Sequence, residues 1–343
     1  MKALVLKEYN RFNYEDVPEP EMGADEVLIE VKACGICGSD VHGMDGSTGR
    51  RIPPIIMGHE ASGIIAEMGK NVKDFSIGEH VTFDSTIYCG TCHFCRRGLI
   101  NLCDNRRVMG VSCDEYHQNG AFAEYVAVPK RILYRLPDGL SFEQAAMVEA
   151  LSIAFHAVDR IPISLNDSAV VIGTGMIGLL IIQLLKAAGC GKIIAVDIEQ
   201  NKLDLSCKLG ADIGLRSDIN DIPAEIYKIT CNRGADIAFE AVGITPTIKI
   251  AVESLIKGGA LTLIGNLLPT VELPLQIAVT RQLSIFGSCA SCGEYPACLE
   301  MIARNDINVD ALMSRIEKLS EGALWFERLQ KREPGLFKVI LVP

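Results

Sequence analysis

Ser168-Ala-Val-Val-Ile172-Gly173-Thr174-Gly175-Met176-Ile177-Gly178 is the stretch that decides how this chain is read. Its first five residues are apolar and rich in β-branched side chains, which suits a buried strand. Three glycines follow at once, and residues 176–188 then have helical length and apolar content. Lys192-Ile-Ile-Ala-Val-Asp197 reads as a second strand. Strand and helix signals go on alternating through Ala235-Asp-Ile-Ala-Phe-Glu240, Ala260-Leu-Thr-Leu-Ile264 and Leu283-Ser-Ile-Phe286. This alternation predicts a doubly wound α/β domain on a parallel sheet.

A G-x-G-x-x-G run by itself is weak, but here a strand precedes it, a helix follows, and an acid ends the next strand. Gly173 suits the tight turn, Gly175 lets the backbone approach a pyrophosphate, and Gly178 lets the helix lie close to the strand. Met176 and Ile177 sit at the helix start, where unpaired N–H groups favour phosphate. Asp197, 24 residues after Gly173, can accept both hydroxyls of a ribose. Its charge would repel a 2′-phosphate, and Ile198 and Glu199 bring no cation, so NAD is expected over NADP. The competing reading is a tight strand–helix turn that binds nothing.

Outward from this segment, 343 residues predict two domains, and a hydrophobic fraction of 49% fills two cores. The net charge of −10 argues against nucleic acid and against anionic membrane surfaces. No apolar run of spanning length is present. The opening Met-Lys-Ala-Leu-Val-Leu-Lys-Glu reads as a strand rather than a signal peptide. Thirteen cysteines with no secretion signal predict a reducing cytoplasm.

Four of those cysteines lie together as Cys89-x2-Cys92-x2-Cys95-x7-Cys103. Such spacing lets four thiolates converge on one tetrahedral zinc. The intervening loop has little apolar content, so the metal would have to organise it. Four thiolates leave no open position, so this zinc is expected to be structural. The alternative is a set of buried or disulfide-bonded thiols.

Residues 1–150 carry short β-like runs, among them Glu26-Val-Leu-Ile-Glu-Val-Lys32, Ala61-Ser-Gly-Ile-Ile-Ala-Glu-Met68 and Phe122-Ala-Glu-Tyr-Val-Ala-Val128. The tail returns to helices near 299–302 and 324–330 and ends on the strand Phe337-Lys-Val-Ile-Leu-Val342, which suggests a discontinuous first domain. Two further segments hold ligand-type residues: Cys34-Gly-Ile-Cys37-Gly-Ser39-Asp40-Val-His42 and Gly58-His59-Glu60. Each alone is weak, since a lone Cys or His is more often packing.

Taken in order along the whole chain, these motifs resemble the medium-chain, zinc-dependent alcohol dehydrogenase family, and its polyol (sorbitol-type) branch most closely. The resemblance implies a discontinuous GroES-like β-barrel catalytic domain (1–151 and 288–343), a Rossmann NAD-binding domain (152–287), and an active site in the cleft between them. It matches Cys37 and His59 to catalytic zinc ligands and Glu60 to the third. It matches Glu149 to a carboxylate that in some members binds this zinc and in others orients its water. Two zinc ions per chain follow. Cys34 is not in a ligand position by this match and is expected to pack as a thiol. Cys289, Cys292 and Cys298 are read as core or loop thiols.

The resemblance further implies the reaction. Zinc with three protein ligands keeps one position open, and there it lowers the pKa of an alcohol. Ser39 and His42 match a relay that carries the proton to solvent, and hydride passes to nicotinamide. Lys202 matches a cation near the adenosine ribose; the other reading is a solvated lysine. The expected substrate is a small alcohol or ketone, and the expected assembly a homo-oligomer, tetramer over dimer.

Three departures bear on the substrate. Ala150 stands where polyol and butanediol members usually have proline. Ala290 and Ser291 stand where sorbitol-type members place an Arg-Tyr pair that bonds polyol hydroxyls. Gly43 stands in place of a pocket tyrosine. A polyol or related secondary alcohol is the leading substrate class, with simple alcohols, diols or threonine as the alternative. A non-catalytic NAD-binding sensor is a remote alternative, opposed by the complete set Cys37, Ser39, His42, His59 and Glu60. A zinc-free quinone reductase is opposed by both zinc motifs.

Overall fold

A computed structural model describes all 343 residues. The chain forms two compact units, Met1–Glu149 with Ser291–Asn305 and Val309–Pro343, and Ala150–Ala290 with Asp306–Asn308.

The second unit is built on a six-stranded parallel sheet. Its strands run side by side as Ile213–Arg216, Lys192–Asp197, Ser168–Ile172, Ala235–Glu240, Leu255–Leu263 and Ser284–Gly287. Ser168–Ile172 is central, which explains its unbroken apolar run: Val170 and Ile172 are buried with Ile194, Val196 and Ala238 of its two neighbours. Helical Ile222, Ile226, Ile248 and Val252 complete this core. Strand order reverses at the central strand, so the Gly173 turn lies at the switch point where open α/β sheets bind ligands. The strands Ile213–Arg216 and Met313–Lys318 escape sequence reading because their residues are half-buried or exposed and their apolar signal is faint.

The first unit is mainly antiparallel. Its ten-residue strand Glu26–Gly35 pairs along its length with Glu60–Met68. On its other side it pairs first with Tyr125–Pro129 and then, at Cys34 and Gly35, with the C-terminal strand Lys338–Val342. One end of this sheet therefore gathers Cys37, just past the first strand, His59 and Glu60 at the start of the second, and Lys338 at the start of the last. Phe83, Phe122 and Phe326 are buried in the core, with Phe122 and Phe326 edge to face at 5.7 Å. No helix of the structure is long and apolar enough to cross a membrane.

Candidate active site

Ligand atoms of Cys37, His59 and Glu60 all lie within 4.8 Å of one another. His59 and Glu60 are buried and Cys37 is half-buried, so one side of the group is more open than the others. Thiol, imidazole and carboxylate are a donor set that zinc accepts. Gly35 pairs directly with Glu60 in the sheet, and an added Cβ at Gly35 would run into Glu60 Oε2. A glycine is thus what leaves room for this carboxylate.

Each buried member of the group has a charged neighbour behind it. His59 Nδ1 lies 3.5 Å from Asp40 Oδ1. Asp40, in the short helix Gly38–Gly43, accepts from Arg51 Nε at 3.1 Å and Nη2 at 2.8 Å. Burial works against the Asp40 charge, but His59 and Arg51 outweigh it and hold the carboxyl well below the usual carboxylate range. Glu60 accepts from Lys338 Nζ at 2.7 Å and 2.5 Å, and Lys338 also donates to Ile36 O at 3.1 Å. Burial alone would depress the Lys338 ammonium; Glu60 reverses this and raises it.

Glu149 lies outside the three-donor group. Ser141 and Gln144 cap the helix Phe142–Ala146 reciprocally, and the next helix, Val148–Asp159, carries Glu149 in its first turn. Glu149 Oε1 accepts from Ser85 Oγ at 3.1 Å in a buried setting. Burial pushes the Glu149 carboxyl up to about 7; nearby His59 opposes the rise and Glu60 adds to it. Ser39 Oγ donates to Cys37 Sγ at 3.3 Å. His42 follows on the same helix and is exposed, as is Ser39.

Sulfurs of Cys89, Cys92, Cys95 and Cys103 also lie within 4.8 Å of one another. Backbone N–H groups point at these sulfurs: Cys92 N to Cys89 Sγ at 3.3 Å, Cys95 N to Cys92 Sγ at 3.5 Å and Cys89 N to Cys103 Sγ at 3.2 Å. Such donors favour thiolate at these three sulfurs, whereas desolvation pushes Cys95 the other way, up to about 12. The bonds that Thr91 and Cys92 make to Cys89 pull its thiol down to about 5. Cys34 is buried at 1% exposure and Cys298 at 0%, while Cys289 is exposed and Cys292 Sγ donates to Gly98 O at 3.2 Å.

In the second unit, Gly173 turns at φ +88° and Gly175 precedes the helix Met176–Ala187, with Met176 and Ile177 in its first turn. Gly178 packs so closely that an added Cβ would strike Gly173 O. Asp197 Oδ2 accepts from Thr174 N at 2.8 Å and Thr174 Oγ1 at 3.0 Å. Its Oδ1 accepts from Ile198 N at 2.7 Å and Glu199 N at 3.1 Å. Lys202 Nζ donates to Glu199 Oε1 at 2.6 Å, so its charge is engaged within its own helix turn.

Sequence reading gave no role to Asp40, Arg51, Ser85, Thr174 or Lys338. One had a signal: Lys338 is a lone charge inside an otherwise apolar terminal strand, which calls for a buried partner. Arg51 and Ser85 belong to no motif.

Comparison with known proteins accords with this architecture. Residues 23–138 match the family described as alcohol dehydrogenase GroES-like domain, and residues 177–304 match zinc-binding dehydrogenase. The chain is 32% identical to sorbitol dehydrogenase of Bacillus subtilis (strain 168), over 100% of this chain and 97% of that protein. It is 32% identical to D-arabitol-phosphate dehydrogenase of Enterococcus avium, over 94% and 92% of the two chains. A structure from Sinorhizobium meliloti 1021, described as a zinc-binding dehydrogenase bound to NADP, superposes with a TM-score of 0.90 at 30% identity, covering 100% of this chain and 99% of that one. The chain belongs to the zinc-dependent alcohol dehydrogenase family, with a GroES-like unit and a Rossmann-type unit. It is an oxidoreductase that uses zinc and a nicotinamide cofactor.

Proposed function

We propose that this dehydrogenase moves hydride between NAD and a secondary alcohol of a small polyol or related molecule. The observation that carries the reading is the convergence of Cys37, His59 and Glu60 within 4.8 Å, beside the hydroxyl of Ser39. Zinc held there would supply a Lewis acid that lowers the pKa of a substrate hydroxyl, and the cofactor would take the hydride. Ser39 is proposed to take up the substrate's proton, and exposed His42 to pass it out through the cofactor ribose. Glu149, buried beside the group and bonded to Ser85, is proposed to orient water at the metal or to replace Glu60 as a ligand. A second zinc on Cys89, Cys92, Cys95 and Cys103 would order their loop.

NAD is the proposed cofactor because Asp197 holds a carboxylate charge at the end of the second strand, fixed by bonds from Thr174, Ile198 and Glu199, where it would repel a 2′-phosphate. Lys202 is proposed to lie near the adenosine ribose, sharing Glu199. The curated relatives act on sorbitol and on D-arabitol phosphate, which places polyols first. A second reading, simple alcohols, diols or threonine, draws on Ala290, Ser291 and Gly43, which remove polar or aromatic contacts from the sorbitol-type pattern. NADH formation on a panel of polyols, polyol phosphates, diols and threonine, with and without chelator, tests the reading. Turnover that ignores chelator and favours no alcohol would reject it.

A homo-oligomer, tetramer over dimer, is proposed from the second unit. Its edge strand Ser284–Gly287 has one neighbour only, and Leu267, Leu275 and Val279 are exposed at 50%, 66% and 70%. Light scattering that shows a monomer at micromolar concentration would overturn this. A cytoplasmic setting is proposed from the free thiols.

A further inference from the structure

Arg51 belongs to no motif, yet it is only 4% exposed. Burying a guanidinium is unfavourable by several kcal/mol unless its charge is paired and its N–H groups are bonded. Arg51 meets both conditions. Nε and Nη2 donate to Asp40 Oδ1 at 3.1 Å and 2.8 Å, and Nη1 donates to Arg50 O at 2.9 Å. Nη2 also reaches Ser39 Oγ at 3.4 Å. The same Asp40 oxygen lies 3.5 Å from His59 Nδ1. One planar cation therefore ties the Ser39 hydroxyl to the His59 imidazole through a shared carboxylate oxygen.

Space for this arrangement comes from Gly43. An added Cβ there would stand 2.8 Å from Arg51 Cγ and 3.0 Å from Thr48 Oγ1. The absence of a side chain at position 43 and the buried arginine are thus one feature.

We infer that Arg51 is a positioning residue for the dehydrogenase reaction, aligning Ser39 to receive the substrate proton and His59 to hold the metal. The inference rests on the reading of Cys37, His59 and Ser39 given under Proposed function. A hydroxyl offers one proton and two lone pairs. Arg51 engages one lone pair, which leaves the other for the substrate's proton. The guanidinium cannot take a proton itself, so it does not divert the transfer. Its charge favours the serine oxygen as that hydroxyl gives up its own proton. The balance is as follows: the alcohol gives a proton to Ser39 and a hydride to the nicotinamide and becomes a ketone, and the hydrogen that Ser39 here directs at Cys37 Sγ turns away from the sulfur to leave for water. At the other end, Asp40 Oδ1 stands 3.5 Å from His59 Nδ1 on the far side of the ring, which leaves Nε2 as the nitrogen that would meet a metal. A lysine could not bridge both partners, because its ammonium is a point charge without the planar fork.

The test is a double-mutant cycle between Arg51→Lys and Ser39→Ala, read as kcat, KM, zinc content and rate of zinc loss to a chelator. Arg51→Lys is expected to lower kcat about 10- to 100-fold with KM within about threefold, and to speed zinc loss several-fold at full initial zinc content. In the Ser39→Ala background the same substitution should lower kcat clearly less than in the wild type, because that partner is gone, while the faster zinc loss, which runs through Asp40 and His59, should persist. If Arg51→Lys does not fold, Arg51→Ala with added guanidinium takes its place, and recovery of kcat is expected. An unchanged kcat in a folded, zinc-loaded variant overturns the inference. So does a loss that persists in full without Ser39, or a folded Arg51→Ala that guanidinium leaves unimproved. Should the wild-type chain turn over no alcohol, the functional reading fails instead. The rate of zinc loss then decides the inference: unchanged exchange in the Arg51 variant overturns it.

Discussion

Lys338 and Glu60 form a buried ion pair across 278 residues of chain, 2.7 Å and 2.5 Å from the ammonium to the two carboxylate oxygens. Both are nearly inaccessible, at 2% and 1% exposure. A carboxylate oxygen of Glu60 also lies within 4.8 Å of the donor atoms of Cys37 and His59, so the pair with Lys338 stands directly behind the proposed metal group.

Removing the lysine should therefore leave an unpaired buried charge. Lys338→Met is expected to lower stability by about 3 kcal/mol or more, the range for breaking a buried pair. Adding Glu60→Gln should recover much of that loss, because no charge is then left without a partner. Urea unfolding of both variants with the Cys37–His59–Glu60 site stripped of metal measures this, because Glu60→Gln also removes a proposed zinc ligand. A double variant no more stable than Lys338→Met would show that the pair is not what the lysine supports.

The two thiol sites should separate in their metal content. Zinc analysis of wild-type protein purified without chelator is expected to approach two per chain. Cys37→Ser should lose one zinc and activity while keeping most of its fold. Cys95→Ser should lose the other and destabilise its loop, which has little apolar content of its own. Equal unfolding in both variants would contradict the division.

Asp197 should govern cofactor choice. Asp197→Ser is expected to weaken NAD and to raise the NADP-to-NAD affinity ratio about tenfold or more, a change of about 1.4 kcal/mol. Isothermal titration with each cofactor measures it. Tighter NADP than NAD in the wild type would overturn the assignment. The variant also gives up the bonds from Thr174, Ile198 and Glu199, so a small loss of stability should accompany the switch.

Asp84 offers a pH test. It is 1% exposed, accepts from Thr86 N at 2.7 Å and from Ser291 Oγ at 3.2 Å, and burial pushes it from 3.8 up to about 6. The folded chain thus holds a proton that the unfolded chain has released between those values. Its contribution is fully present below pH 3.8 and is lost as pH rises through 6. Asp84→Asn keeps the shape and removes the charge. It is expected to stabilise the protein at pH 8 by about 2–3 kcal/mol, at about 1.4 kcal/mol per unit, with no gain near pH 3.5. Denaturant unfolding at both values decides it, and a wild type more stable at pH 8 would refute it.

Much of the fold was legible because its signals are local. The run before Gly173 is apolar since that strand lies between two others, and the glycine spacing belongs to a turn only a few residues long. The same holds for Cys89 to Cys103, where one short loop brings four sulfurs together. The edge strands Ile213–Arg216 and Met313–Lys318 left little trace, because a strand without two covered faces needs no apolar run.

By itself, then, the sequence determined the order of the elements, the dinucleotide turn, the cysteine loop and the ligand types available at Cys37, His59 and Glu60. Tertiary structure alone decided what stands behind them. Strand pairing brings Lys338 beside Glu60, and the room left by Gly43 lets Arg51 lie against Asp40 and Ser39. The helix Val148–Asp159 delivers Glu149 to Ser85. Backbone geometry sets contacts between near neighbours in the chain. Contacts between distant residues follow from register and packing, and a buried charge must find its partner wherever these place it.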